Sequence, residues 1–135
     1  MRETIYVDTP KGDSLSNISD QVQGIIEQRG VQSGTCLLVV PHTTAAITIN
    51  SYLDPNTAVD IVADVRRIVP TRTDFTHIFD TPADAAGHIK ASLIGNSETV
   101  FVEEGRLLLG FSQGLFLFDF DGPRRRKVFV KIIED

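Results

Sequence analysis

Apolar positions along the 135-residue chain change period several times, and each change marks a predicted element. Thr4–Thr9 reads as a first strand. Leu15, Ile18, Val22, Ile25 and Ile26 then recur at helical spacing, which predicts a helix carrying all five and stopping at Gly30. After Gly34, Thr35–Val40 is short, apolar and partly β-branched, the pattern of a buried strand. His42 to Asn50 alternates. His42, Thr44, Ala46, Thr48 and Asn50 share one face, and Thr43, Ala45, Ile47 and Ile49 the other. The expectation is a strand whose polar face, with its histidine, turns toward water or a ligand.

Asp54-Pro55 combines an N-cap acceptor with a proline suited to the first helical position. Ile61, Val62, Val65, Ile68 and Val69 give the following helix a core face, and Pro70 ends it. Thr71 to Asp80 is read as a loop carrying His77. Thr81-Pro82-Ala83-Asp84 opens a third helix, with Asp84 placed as a capping-box acid and Gly95 stopping the helix after Ile94. Asp84 and His88 are four residues apart and so lie on one helical face, where the carboxylate can orient the imidazole or add a ligand. Farther on, Glu98–Val102 and Arg106–Leu109 flank a Glu-Glu-Gly turn. Gln113–Phe120 and Arg126–Ile133 flank Asp121-Gly122-Pro123, read as a second hairpin. Sequential hairpins after a helix-rich first part predict an α+β fold: one domain over residues 1–135, with a mixed or antiparallel sheet and about three helices.

Composition narrows the function classes. A hydrophobic fraction of 41% suits a globular domain, and a formal net charge of −5 argues against nucleic acid as a partner. No apolar run approaches the roughly 20 residues of a membrane span, and the N-terminus has no signal-peptide core. A cytoplasmic protein with no membrane partner is expected. The single cysteine, Cys36, lies in an apolar run, which predicts a buried, inert thiol.

The chemistry concentrates on the three histidines, His42, His77 and His88. Together they offer three imidazole nitrogens and leave the open position that a catalytic zinc site keeps. Their spacing matches no local metal signature, and each can equally serve as an ordinary hydrogen-bonded polar residue. Arg124, Arg125, Arg126, Lys127 and Lys131 form a basic stretch in an otherwise acidic chain. One side of it can grip a phosphate through arginine's planar fork; the alternative is a charged edge strand protected from aggregation. No Gly-x-Ser-x-Gly, Walker loop or dinucleotide fingerprint is present.

The ordered series His42-Thr-Thr-Ala-Ala-Ile-Thr-Ile-Asn50, Asp54-Pro55, His77, His88-Ile-Lys-Ala-Ser-Leu-Ile-Gly95-Asn-Ser97, Gly105-Arg-Leu-Leu-Leu-Gly110, Gln113-Gly114 and Asp121-Gly-Pro-Arg124 resembles the YjbQ family. It runs in register from about residue 30 to the end. The resemblance implies a homotrimer with His42, His77 and His88 converging on a divalent metal, zinc first and magnesium if the substrate is a diphosphate. It also implies a secondary thiamine-phosphate synthase activity that joins a pyrimidine methyl diphosphate to a thiazole phosphate. His42 and His88 of these motifs, with Asp84 one helical turn before His88, are the catalytic candidates. Thr44, Asn50, Ser97, Gln113 and Arg124 are the candidates for holding a small-molecule substrate or anion. Two positions depart from the family pattern: Ser51 stands where an acid is usual, and Ser112 where a tryptophan is usual. A zinc-dependent hydrolase and a non-enzymatic metal- or anion-binding trimer are the rival readings.

Overall fold

The computed structural model describes residues 1–135. In chain order the elements are β1 (Arg2–Asp8), β2 (Gly12–Asn17), α1 (Ser19–Arg29), β3 (Gly34–Val39) and β4 (Ala45–Ser51). They continue as α2 (Pro55–Ile68), α3 (Pro82–Ile94), β5 (Ser97–Glu103), β6 (Arg106–Leu107), β7 (Gln113–Gly122) and β8 (Arg125–Glu134). The strands form a five-stranded sheet, ordered β1-β8-β3-β5-β6, and a three-stranded sheet, ordered β2-β7-β4. Every pairing is antiparallel. The α+β expectation holds, with two sheets in place of one.

Alternation along the strands builds the layers. Leu115 and Leu117 of β7 and Ala45 and Ile47 of β4 face the large sheet. There they meet Cys36, Leu38, Val100, Val128 and Val130, and α1 adds Val22 and Ile26 to the same core. On the other side of the small sheet, Ala46, Phe118 and Phe120 pack under Ile61, Val62 and Val65 of α2 and Ala91 and Ile94 of α3. The two helices thus cover the small sheet. The face of β4 expected to be wet is covered by protein, and Ala46 is fully buried.

Four expectations need correction. Leu15 is not helical: it pairs with Phe118 in β2, and α1 starts only at Ser19. Ser14 to Asn17 fit a short strand as well as a helix, and backbone pairing with β7 decides for the strand. Ile68 of α2 faces solvent, while the neighbouring Val69 is buried. Strands β7 and β8 do not form a hairpin, because Gly122-Pro123 carries the chain from one sheet to the other. Finally, β8 is not an edge strand; it lies between β1 and β3. The Glu-Glu-Gly hairpin is present, with Glu104 (φ 51°) and Gly105 (φ 75°) both left-handed between paired Glu103 and Arg106, as a two-residue primed turn requires. Cys36 is fully buried, and burial pushes its thiol up to about 11. No helix is long and apolar enough to cross a membrane.

Candidate metal centre and cleft

The first turn of α3 creates the site. Thr81 Oγ1 accepts from Asp84 N–H at 3.2 Å, and Pro82 begins the helix without a wasted donor. Asp84 is nearly buried at this N-terminal turn, where the helix dipole favours negative charge. Its side chain does not fold back to close a capping box. Instead Asp84 Oδ2 meets His77 Nε2 at 3.0 Å and His88 Nε2 at 3.1 Å. The two imidazole rings stand edge to face with centroids 5.2 Å apart.

Small side chains let α3 sit this close to the sheet. Ala85, Ala86 and Gly87 form its buried face, and a Cβ on Gly87 would stand 3.2 Å from both Cβ and Cγ2 of Thr44. On the opposite side, Asp84, His88 and Ser92 follow one another at four-residue spacing. Ser92 Oγ donates to the His88 carbonyl at 2.9 Å. His42, Thr43, His88, Ala91, Ser92, Gly95 and Asn96 line an open cleft of about 520 Å³.

The three histidines do not form one cluster in the protomer. His77, Asp84 and His88 place their ligand atoms within 4.8 Å of one another, and His42 is outside that group. His42 precedes β4 rather than lying in it, and its Nε2 accepts the backbone N–H of Lys127 at 2.8 Å. It shares the cleft with His88.

The substrate-binding candidates scatter. Thr44 is buried, and its carbonyl and hydroxyl both accept from Arg126 Nη2, at 3.3 and 2.8 Å. Asn50 caps its own neighbour by accepting from Ser51 N–H at 2.7 Å. Gln113 Oε1 accepts from Gly110 N–H at 2.7 Å. Asn50 and Gln113 occupy the far end of the small sheet, five residues along β4 from Ala45, or roughly 17 Å at strand rise. Ser51 and Gln113 are direct cross-strand partners, and Tyr52 N–H donates to Ser112 O at 3.0 Å, so both departures from the family pattern also lie at that end. Ser97 is exposed at the start of β5, beside Asn96 of the cleft.

Arg124 is half-exposed, and its Nη2 pairs with Asp121 Oδ2 at 3.0 Å. Hydrogen bonding to Asp121, then the charge of that carboxylate, raises the guanidinium's pKa; Asp119 and Asp84 contribute smaller shares. Arg126, by contrast, is buried inside the fold. Its Nη2 donates to Asp119 Oδ1 at 2.8 Å, bridging the two sheets. Burial alone would raise the Asp119 carboxyl. Hydrogen bonds from Arg126, Thr9 and the Asp121 amide outweigh that and hold it below its usual range. Within the basic stretch Arg126 is therefore structural, while Arg124, Arg125, Lys127 and Lys131 are exposed, the last three along one face of β8, which is not an edge strand.

Asn96 lines the cleft beside Ser97, in the Gly95-Asn96-Ser97 segment that offers either an anion contact or a C-cap and turn. Thr43, the Lys127 backbone and the Asp119–Arg126 pair carried no signal in the sequence. Ser92 was legible as the next step of the Asp84–His88 spacing. Lys127 was not, because its contribution is a backbone N–H donated across 85 residues.

A profile of the UPF0047 protein YjbQ-like family matches residues 3–135. The UPF0047 protein MJ1081 of Methanocaldococcus jannaschii is 40% identical over 129 residues, covering 96% of this chain and 91% of the relative. UPF0047 protein YugU of Bacillus subtilis is 35% identical over 133 residues, covering 98% and 99%. Among solved structures, a protein of unknown function from Sulfolobus solfataricus superposes with a TM-score of 0.93 at 32% identity, covering 100% of this chain and 97% of that one. An uncharacterised protein of the same family from Clostridium acetobutylicum gives 0.91 at 39% identity, covering 97% and 99%.

Proposed function

The chain belongs to the YjbQ-like UPF0047 family, and from the site it carries within that fold we propose a zinc-dependent enzyme acting on a small phosphorylated molecule. The observation behind this reading is the meeting of two imidazole nitrogens on one carboxylate oxygen, at 3.0 and 3.1 Å, with one of the imidazoles in the wall of an open cleft. Bonds of about 2.0–2.1 Å arranged tetrahedrally put ligand atoms roughly 3.3 Å apart, close to those separations. Two nitrogens with one oxygen suit zinc, whereas magnesium favours oxygen ligands and keeps several waters. His77, Asp84 and His88 would hold the ion. When bound, it supplies positive charge that stabilises negative charge developing on a phosphoryl oxygen.

The finer reaction follows the family resemblance. The thiazole-phosphate nitrogen bonds to the methylene carbon of the pyrimidine methyl diphosphate. The carbon–oxygen bond breaks with its electron pair, and pyrophosphate departs. Arg124 presents an outward guanidinium for the departing diphosphate. Ser92 and Asn96 offer polar contacts in the cleft wall, and Asp84 would join the two imidazoles in holding the ion. Because the cleft opens to solvent, hydrolysis of a phosphate ester, with water as acceptor, is the second reading. The homotrimer of the family resemblance goes with both. The outer face of the large sheet leaves Tyr6, Val39, Phe101 and Ile133 exposed as apolar surface for such a contact.

The test is rescue of a thiamine-requiring strain that lacks its dedicated synthase, together with pyrophosphate release by the zinc-loaded protein. Wild type is expected to rescue, and His88→Ala and Asp84→Ala to fail. Absence of rescue with turnover of phosphate esters would replace the first reading by the second. Sedimentation at micromolar concentration checks the trimer.

A further inference from the structure

We infer that His42 is a fixed hydrogen-bond donor to substrate, presenting Nδ1–H toward a phosphoryl oxygen in the cleft. This builds on the proposed phosphorylated substrate, but the tautomer on which it turns is set by the protein alone.

The argument starts from the backbone. Lys127 N–H can only donate, so the His42 Nε2 it meets at 2.8 Å must offer a lone pair. A neutral imidazole that accepts at Nε2 carries its proton on Nδ1. That nitrogen has no partner in the chain and is not among its buried unpartnered polar atoms, so it is open to solvent in a residue that lines the cleft. His42 is thereby ill suited to join the metal ligands through Nε2, and equally ill suited to take a proton from substrate at Nδ1.

The surroundings keep the ring in this form. Desolvation lowers its pKa most and the guanidinium of Arg126 lowers it further; Asp119 opposes them, and Lys127 adds the smallest lowering. Arg126 is itself locked by Asp119 and Thr44. A neutral donor in a field with two cations and one anion matches an anionic acceptor. It disfavours a ligand that brings its own donor or positive charge to that position.

Two measurements test this. Long-range proton–nitrogen correlation NMR on histidine-labelled, metal-free protein at pH 7, assigned with His77→Ala and His88→Ala, should show His42 with protonated Nδ1 and unprotonated Nε2. A protonated Nε2, or an imidazolium ring, would overturn the assignment. Inorganic pyrophosphate is then titrated into the zinc-loaded protein. His42→Ala should weaken binding at least about tenfold, as loss of a hydrogen bond to a charged acceptor does, with zinc stoichiometry unchanged. His42→Asn, whose amide N–H takes the Nδ1 position, should recover most of that loss. Equal binding by wild type and His42→Ala, no pyrophosphate binding by wild type, or tighter binding of malonate than of pyrophosphate would each sink the proposal. A protein that binds no zinc removes the metal reading, while the tautomer measurement still decides the donor form of His42.

Discussion

His77 Nε2 lies 3.0 Å from Asp84 Oδ2, joining the loop before α3 to that helix's first turn. The carboxylate that a capping box would direct back to Thr81 is instead shared by two imidazoles, one from each side of the helix start. Four-residue spacing accounts for the Asp84–His88 half of this arrangement. The His77 half depends on how the loop folds over the helix end.

Metal affinity should depend on all three residues. Wild type is expected to hold one zinc per chain by elemental analysis after dialysis. His77→Ala, His88→Ala and Asp84→Ala should each weaken zinc binding by at least about 100-fold, the upper end of what even supporting residues contribute. His42→Ala should leave the stoichiometry at one. Chelation should lower the thermal midpoint of wild type and not that of Asp84→Ala.

The buried Asp119–Arg126 pair ties the sheets together, with side-chain exposures of 0% and 6%. Arg126→Met strands a buried carboxylate and should cost about 3–5 kcal/mol in denaturant unfolding. The Asp119 pKa is depressed below the ordinary 3.8 in the folded state. The unfolded chain therefore binds its proton first as pH falls. Stability from this group is complete above about pH 4 and is lost as pH drops through the lower, folded value. Asp119→Asn should be less stable at neutral pH and show a shallower acid decline, measured by unfolding midpoints from pH 7 to pH 2.

Gly87 sets the distance between α3 and the small sheet, because any side chain there meets Thr44 at 3.2 Å and Phe120 at 3.4 Å. Gly87→Leu should cost about 1–3 kcal/mol through overpacking and should also weaken zinc binding, since the helix it displaces carries Asp84 and His88. Unchanged zinc affinity in a destabilised variant would show that the site tolerates the shift.

Lys90 anchors the same helix from within. Its ammonium is almost wholly buried, donates to Asp13 Oδ2 of β2 at 2.7 Å and sits 5.8 Å from the centre of the Phe120 ring. Asp13→Ala leaves that charge without its partner and should cost about 3 kcal/mol or more. Lys90→Met keeps the stem packed but leaves the Asp13 carboxylate, 9% exposed, without its cation, and should cost about as much. A double-mutant cycle by urea unfolding separates the pair from the packing.

How much was legible in the sequence varied with the range of the interaction. The starts of α2 and α3 were readable because Asp54-Pro55 and Thr81-Pro82 act on donors within three residues, at Asn56 and Asp84. The end of α1 at Gly30 was readable because a left-handed φ of 67° suits glycine. Leu15 was misplaced because a short alternating run fits two periods, and only its partner strand chooses between them. Arg126 was misread because a charged residue in a basic run gives no sign that a carboxylate seven residues earlier, on the other sheet, faces it.

By itself, then, the sequence determined the starts of α2 and α3, the ends of α1 and α3, most strands, the α+β class and the residue types able to do chemistry, since all of these follow from periodicity and nearby capping. Only the tertiary structure decided which groups meet. It brought His77 to the Asp84–His88 pair, gave His42 Nε2 to the Lys127 amide, separated β7 from β8, and sent Asn50 and Gln113 to the far end of the sheet. The physical reason is that a hydrogen-bonding group commits to whatever partner chain closure brings within about 3 Å, and closure over tens of residues leaves no periodic trace in the sequence.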